Sequence, residues 1–138
     1  MDIDLALIAD AATVDATGKL NILGVFDRIT AQEFPTQHGR LALVLRFRAA
    51  VVEIGLHEIA IELRDPEGQA LLRLDGQLEL GGGAKASETG IRVPHVLNLD
   101  GLVFARPGRY AFDVIIDGEH HVSLPLVVDG VPQGGAAA

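Results

Sequence analysis

The chain has 138 residues, a size at which one domain buries roughly 68–70% of the surface that its unfolded chain exposes. It contains no cysteine, which excludes disulfides and thiolate metal sites and fits a reducing compartment such as the cytoplasm. Nineteen acidic against eleven basic side chains give a net charge of −8, and there are one Tyr, five Phe and no Trp. This composition argues against binding to nucleic acids or anionic lipids.

The first predicted strand covers residues 3–9, which are apolar at consecutive rather than alternate positions. Such a run is typical of a strand that is covered on both faces and lies inside a sheet. Asp2 and Asp4 accompany it without any basic residue, and the run is too short to cross a bilayer. We therefore expect neither a signal peptide nor a membrane span.

Alternating apolar side chains predict five further strands, at residues 19–26, 40–50, 57–64, 69–80 and 93–99. Pro35 and Gly39 are breakers, so residues 27–39 are expected to form a connection between sheets. Residues 65–68 have the composition of a type I turn with proline at its second position. The glycine-rich residues 81–90 are predicted to form a flexible loop.

The clearest hairpin of the chain follows, at residues 106–128. A three-residue loop is expected because it pairs Phe112 with Val122, whereas a two-residue loop would oppose core and polar side chains. Tyr110, just after a Pro-Gly turn, is typical of the tyrosine corner of immunoglobulin-like sandwiches. Pro125 predicts that the last strand is a sheet edge, which offers a route to dimers through strand pairing.

Eight strands separated by turn signals, without helical periodicity, predict an all-β, antiparallel eight-stranded β-sandwich of the immunoglobulin-like kind. A closed barrel with a ligand cavity is the alternative architecture. We expect residues 1–130 to form this single domain and residues 131–138 to form a flexible C-terminal tail.

Four segments carry a resemblance to a known family: LALIAD at residues 5–10, GKLNILGVFDRI at 18–29, VLNLDG at 96–101 and FARPGRY at 104–110. Together they resemble a family of small bacterial all-β proteins of unknown function. The resemblance covers nearly the whole chain and implies a Greek-key sandwich similar to calcium/phospholipid-binding domains. It implies no activity, cofactor or catalytic residue.

Domains of that kind hold calcium with loop carboxylates, which makes one group of acidic residues worth considering: Asp10, Asp15, Asp27, Asp65 and Glu67. Asp65 precedes a proline in an ordinary turn, where aspartate is favoured as a cap. We favour the capping interpretation and assign no metal site.

The five histidines do not form a recognisable metal motif. His120 and His121 are adjacent on a strand and point to opposite faces, so they cannot both bind one metal ion. His38, His57 and His95 lie in unrelated segments and lack zinc-site spacing. We interpret all five as surface histidines.

Nucleophilic and phosphate-binding motifs are also missing from the sequence. Ser87 and Ser123 are the two serines, and neither lies in a Gly-x-Ser-x-Gly elbow. The glycines at 81–83 are not followed by the Lys-Ser or Lys-Thr of a phosphate loop. The sequence therefore predicts a protein that is not an enzyme and needs no cofactor.

Arg46, Arg48 and Arg73 are candidates for a basic stripe that binds a partner. We favour the alternative that they pair with acidic side chains across the sheet surface, namely Glu58, Glu62 and Glu79.

The leading hypothesis is a cytoplasmic β-sandwich module that acts by protein–protein interaction or self-assembly. The alternative is a sandwich that binds a small molecule, a lipid or calcium at the loop end near Asp10, Asp27 and Asp65. A third possibility, carbohydrate or ester chemistry by carboxylates, has no readable residue pair behind it.

Overall fold

The computed structural model describes residues 1–80 and 90–131. This part of the chain forms nine strands: β1 (Asp2–Val14), β2 (Leu20–Val25), β3 (Arg28–Ala31), β4 (Thr36–Ala49), β5 (Gly55–Arg64), β6 (Ala70–Leu80), β7 (Ile91–Phe104), β8 (Gly108–Ile116) and β9 (Glu119–Gly130). A single-turn 3₁₀ helix, Val51–Glu53, lies between β4 and β5.

The strands form two sheets. One has four strands in the order β2-β1-β4-β7, and the other has five in the order β3-β9-β8-β5-β6. Apolar side chains from both sheets share one core, in which Leu43 and Phe47 of β4 cluster with Ile61 of β5 and with Phe112 and Val114 of β8. The burial pattern of β8 alternates strictly along its length, as expected for a half-buried strand.

The predicted all-β class is confirmed, whereas the predicted count of strands is wrong: the described residues form nine strands instead of eight. The described strand pairs have the predicted antiparallel direction except for β3 and β9, which are parallel. Residues 27–39, expected to be a connection, contain β3 and the beginning of β4. A four-residue strand has too few positions to show periodicity, which explains why the sequence did not reveal it.

The turn of the β8–β9 hairpin also differs from the prediction. Asp117 and Gly118 have φ values of 50° and 82°, so they form the two-residue turn that requires positive φ at both positions. A register shift just after Val114 then places Phe112 opposite Leu124 instead of Val122. The predicted three-residue loop is wrong because the extra residue lies in a bulge within the strand rather than in the turn.

Strand β9 is not an edge over its whole length. Residues 127–130 pair with β3, on the side of β9 away from β8, which corrects the prediction that the last strand is an edge. Pro125 lies before the segment that pairs with β3, so the ladder does not require the N–H that proline lacks.

A tyrosine corner fastens β8 to the chain that precedes it. The Tyr110 side chain is buried, and its hydroxyl donates to the carbonyl oxygen of Arg106 at 2.7 Å. Its ring meets Phe104 edge to face, with the centroids 4.9 Å apart. Gly108 lies so close to Pro66 that a Cβ there would be 2.5 Å from the proline Cγ, so two turns pack directly together. The sequence-based expectation for Tyr110 is confirmed.

We predict that Tyr110→Phe lowers the free energy of unfolding by about 1–3 kcal/mol, because it leaves the Arg106 carbonyl without its donor. Urea denaturation followed by circular dichroism measures the change. Arg106→Ala is the control: it removes ion pairs to Asp65 and Glu67 and keeps the main-chain carbonyl. Because the Arg106 side chain is half exposed, the control should lose less than about 1 kcal/mol. Equal stability of Tyr110→Phe and wild type would contradict the assigned role of the hydroxyl.

Candidate functional sites

The loop carboxylates considered for calcium lie on four separate segments of the chain, with Asp65 and Glu67 together in one turn. Asp15 accepts from the N–H groups of Thr17 and Lys19, and Asp65 accepts from those of Glu67 and Gln69, so each caps its own turn. Asp10 lies within β1 beside Gly24, and the main-chain oxygen of Asp27 accepts from Val127. In the described part of the chain, no three His, Cys, Asp or Glu residues form a group suited to a metal ion.

The histidines occupy different surroundings. The ring of His38 packs on Phe26 with the centroids 5.7 Å apart, and His95 faces inward on β7. His120 lies 3.4 Å from Asp113, and His121 lies where β9 bulges between its pairings with Ile115 and Val114. The structure does not gather them into one site within residues 1–80 and 90–131.

His57 forms the most connected of these contacts. Its Nδ1 lies 2.6 Å from Asp117 Oδ2, and its Nε2 lies 2.6 Å from the main-chain oxygen of Glu53. The Glu53 carboxylate accepts in turn from the N–H of Ala50 and from the terminal ammonium of Met1. The hydrogen bond to Asp117 is the main cause that raises the pKa of His57. The His57 ring thus joins the β8–β9 turn to the link between β4 and β5.

One cluster of polar side chains on the outer face of the five-stranded sheet was not predicted. Asp113 of β8 receives a hydrogen bond from Arg64 at 2.9 Å, and it also contacts His120 and Ser123 of β9. The carboxylate stands between the serine and the histidine, whereas a nucleophilic triad requires the histidine in the middle. Pairing between distant strands creates this cluster, so no local motif could have revealed it. Ser87 lies outside the described residues.

The three arginines of the supposed basic stripe do not form one. Arg46 and Arg48 lie on the four-stranded sheet, and Arg73 lies on the five-stranded sheet. Arg73 pairs with Glu62, as one favoured ion pair anticipated. Arg46 and Arg48 instead pair with aspartates of β1, Asp4 and Asp2 respectively.

The outer face of the four-stranded sheet carries a second apolar cluster. Leu41, Leu43 and Leu45 of β4 belong to the central core, so the alternate residues Ala42 and Val44 point to the opposite face. Both are completely buried. Larger side chains on neighbouring strands close over them and remain partly exposed: Leu5, Leu7, Leu20, Ile22 and Val96. We call this set the outer apolar face.

Every described member of the outer apolar face belongs to β1, β2, β4 or β7. No side chain from the five-stranded sheet or from a described connection takes part in it. The sequence predicted that the first strand would be covered on both faces. Within the described chain, the five-stranded sheet covers one face of this strand, and only side chains of the neighbouring strands in its own sheet cover the other.

The two sheets and their shared core define the protein as a small all-β domain, and the described residues contain no helix with the length and hydropathy of a membrane-crossing segment. Residues 4–129 match the family described as a family of unknown function, DUF6941, and the chain belongs to that family. This confirms the resemblance to a family of unknown function. No curated protein matches the chain.

We predict that the contacts of His57 make stability depend on pH. Because the pKa of His57 is raised in the folded protein, its protonation stabilises the fold fully below the ordinary value of 6.5. That stabilisation is lost as the pH rises through the folded pKa. The free energy of unfolding, measured at about pH 6 and about pH 8.5, should therefore fall more in wild type than in His57→Gln. Asp117→Asn should weaken the dependence in the same way. An unchanged pH dependence in His57→Gln would refute the prediction.

Proposed function

We propose that the protein is a non-enzymatic β-sandwich module that associates with a second copy of itself through the outer apolar face. The observation that carries this proposal is the second apolar cluster, which lies on the side of the four-stranded sheet away from the core. Burial of partly exposed leucine, isoleucine and valine side chains against a like surface is favourable, at roughly 25 cal/mol per Å². Contiguous apolar surface of this kind is typical of interaction sites.

Ion pairs flank the outer apolar face at both ends. Asp4 bonds both Arg46 and Arg92, at 2.8 and 2.9 Å, and Arg40 pairs with Asp100 at 3.2 Å. An apolar centre with a rim of satisfied polar groups has the anatomy of a protein–protein interface. Because these rim charges already have partners within the chain, a second copy can dock without supplying opposite charges.

Mixed charge at the ends of this face favours a second copy over a strongly charged partner. The flanking pairs contain charges of both signs: the arginines Arg40, Arg46, Arg48 and Arg92 and the aspartates Asp2, Asp4 and Asp100. The whole chain carries −8. A surface with charges of both signs opposes the approach of a second acidic copy less than a uniformly acidic surface does.

We propose that the assembly forms in the cytoplasm, which agrees with the absence of cysteine from the sequence.

A matched pair of substitutions on β2 tests the proposal. Ile22 belongs to the outer apolar face, whereas the next residue, Leu23, points to the other side and is 72% exposed. Sedimentation equilibrium should give wild type and Leu23→Lys a mass of twice 14.6 kDa. Ile22→Lys should weaken the dimer at least about tenfold, because it buries a charge in an apolar interface.

Val96→Lys, on the opposite side of the face, provides a second disruption if Ile22→Lys loses its fold by circular dichroism. A wild-type protein that stays monomeric at all concentrations would refute the proposal. Equal weakening by Leu23→Lys would also refute it, since the interface would then not be this face.

A further inference from the structure

Strand β6 interrupts its inward row of leucines with a glycine. Leu72, Leu74 and Leu78 pack against the core, and Gly76 holds the inward position between the last two, opposite Ile59 of β5. Gly76 has no positive φ, and nothing lies within 4 Å of the place that its Cβ would take. Neither backbone conformation nor crowding therefore requires glycine here. Since glycine weakens a strand interior, we looked for what its missing side chain provides.

The missing side chain leaves a cavity of about 160 Å³ between the two sheets. Its walls are apolar and come from both sheets: Phe47, Ile59, Ile61, Leu74, Leu78 and Leu97. The mouth lies between β6 and β7, each of which is the last strand of its sheet, so the two do not pair with each other. Within residues 1–80 and 90–131, no β-ladder therefore closes the cavity between these two strands.

One inward-facing side chain at the mouth is polar. His95 lies on β7 opposite Leu45, at a position that faces the core. His95 remains exposed to solvent, and the partial burial of its ring lowers the pKa of His95. The imidazole is therefore neutral near pH 7 and has one donor and one acceptor nitrogen. Asp75 and Gln77 also border the cavity, and the Asp75 carboxylate pairs with Arg73 on the outer side of the sheet. A neutral imidazole, an amide and a carboxylate suit a neutral hydroxyl better than an anionic carboxylate.

We propose that this cavity binds a small, uncharged, mostly apolar molecule that carries one hydroxyl group and has about the size of phenol. An apolar cavity of about 150 Å³ is large enough for benzene, which sets the size of the ring. The ring occupies the space beside Gly76, and the hydroxyl forms a hydrogen bond with His95. The cavity lies between the sheets and the outer apolar face lies outside them, so this site does not depend on the proposed dimer.

The test uses phenol as the probe and benzene as the analogue that lacks the hydroxyl. Isothermal titration calorimetry of the full chain should show that wild type binds phenol about three- to tenfold more tightly than benzene, the gain of one neutral hydrogen bond. His95→Phe should bind the two probes equally. Gly76→Val should abolish binding of both, because its side chain fills the cavity, and should unfold at an equal or higher urea concentration than wild type.

Gly39→Val is the matched control, because Gly39 is also a strand glycine with open space at its Cβ position and lies outside the cavity. It should bind phenol as wild type does. Absence of phenol binding to wild type, or undiminished binding to a folded Gly76→Val, would overturn the proposal. A preference for phenol that survives in His95→Phe would refute the role of His95.

Discussion

Strand β4 carries apolar side chains on both of its faces, and the remaining architecture depends on how each face is covered. The face with Leu43 and Phe47 is covered by the five-stranded sheet, which creates the shared core. The face with Ala42 and Val44 is covered by side chains of the neighbouring strands alone within the described residues. Small residues at the centre and larger ones around them bury the middle of this face without a second layer. The larger residues then remain partly exposed.

The outer faces of the two sheets differ in the side chains that cover them. On the five-stranded sheet, Glu62 of the interior strand β5 is only 6% exposed, but it bonds Arg64 and Arg73. Long charged side chains cover that surface with their stems and keep their charged ends in water. The four-stranded sheet has ion pairs at its ends and apolar side chains between them. This contrast, more than the fold itself, is the reason for proposing association through the four-stranded sheet.

The sequence predicted local features well and non-local ones poorly. Alternation identified the inward residues of β8, and the position of Tyr110 after a Pro-Gly turn predicted its corner. The parallel pairing of β3 could not be predicted, because it depends on which strand end lies beside β9. The bulge at the register shift after Val114 was not predicted, for a related reason. Alternation of apolar and polar residues indicates which face a side chain takes, whereas a bulge changes which residue lies opposite on the neighbouring strand. The cluster around Asp113 likewise exists only once β5, β8 and β9 are neighbours.

The glycines differ in whether the backbone conformation or a close neighbour requires a residue without a side chain. Gly108 has no room for a Cβ beside Pro66, and Gly24 combines a positive φ with close contact to Asp10. Each of these glycines is explained by the backbone or by a neighbour. Gly76 lacks both explanations and lies in a row of leucines that would otherwise be continuous. Gly39 also has open space at its Cβ position, so the cavity beside Gly76, rather than the glycine alone, is the basis of the proposed binding site.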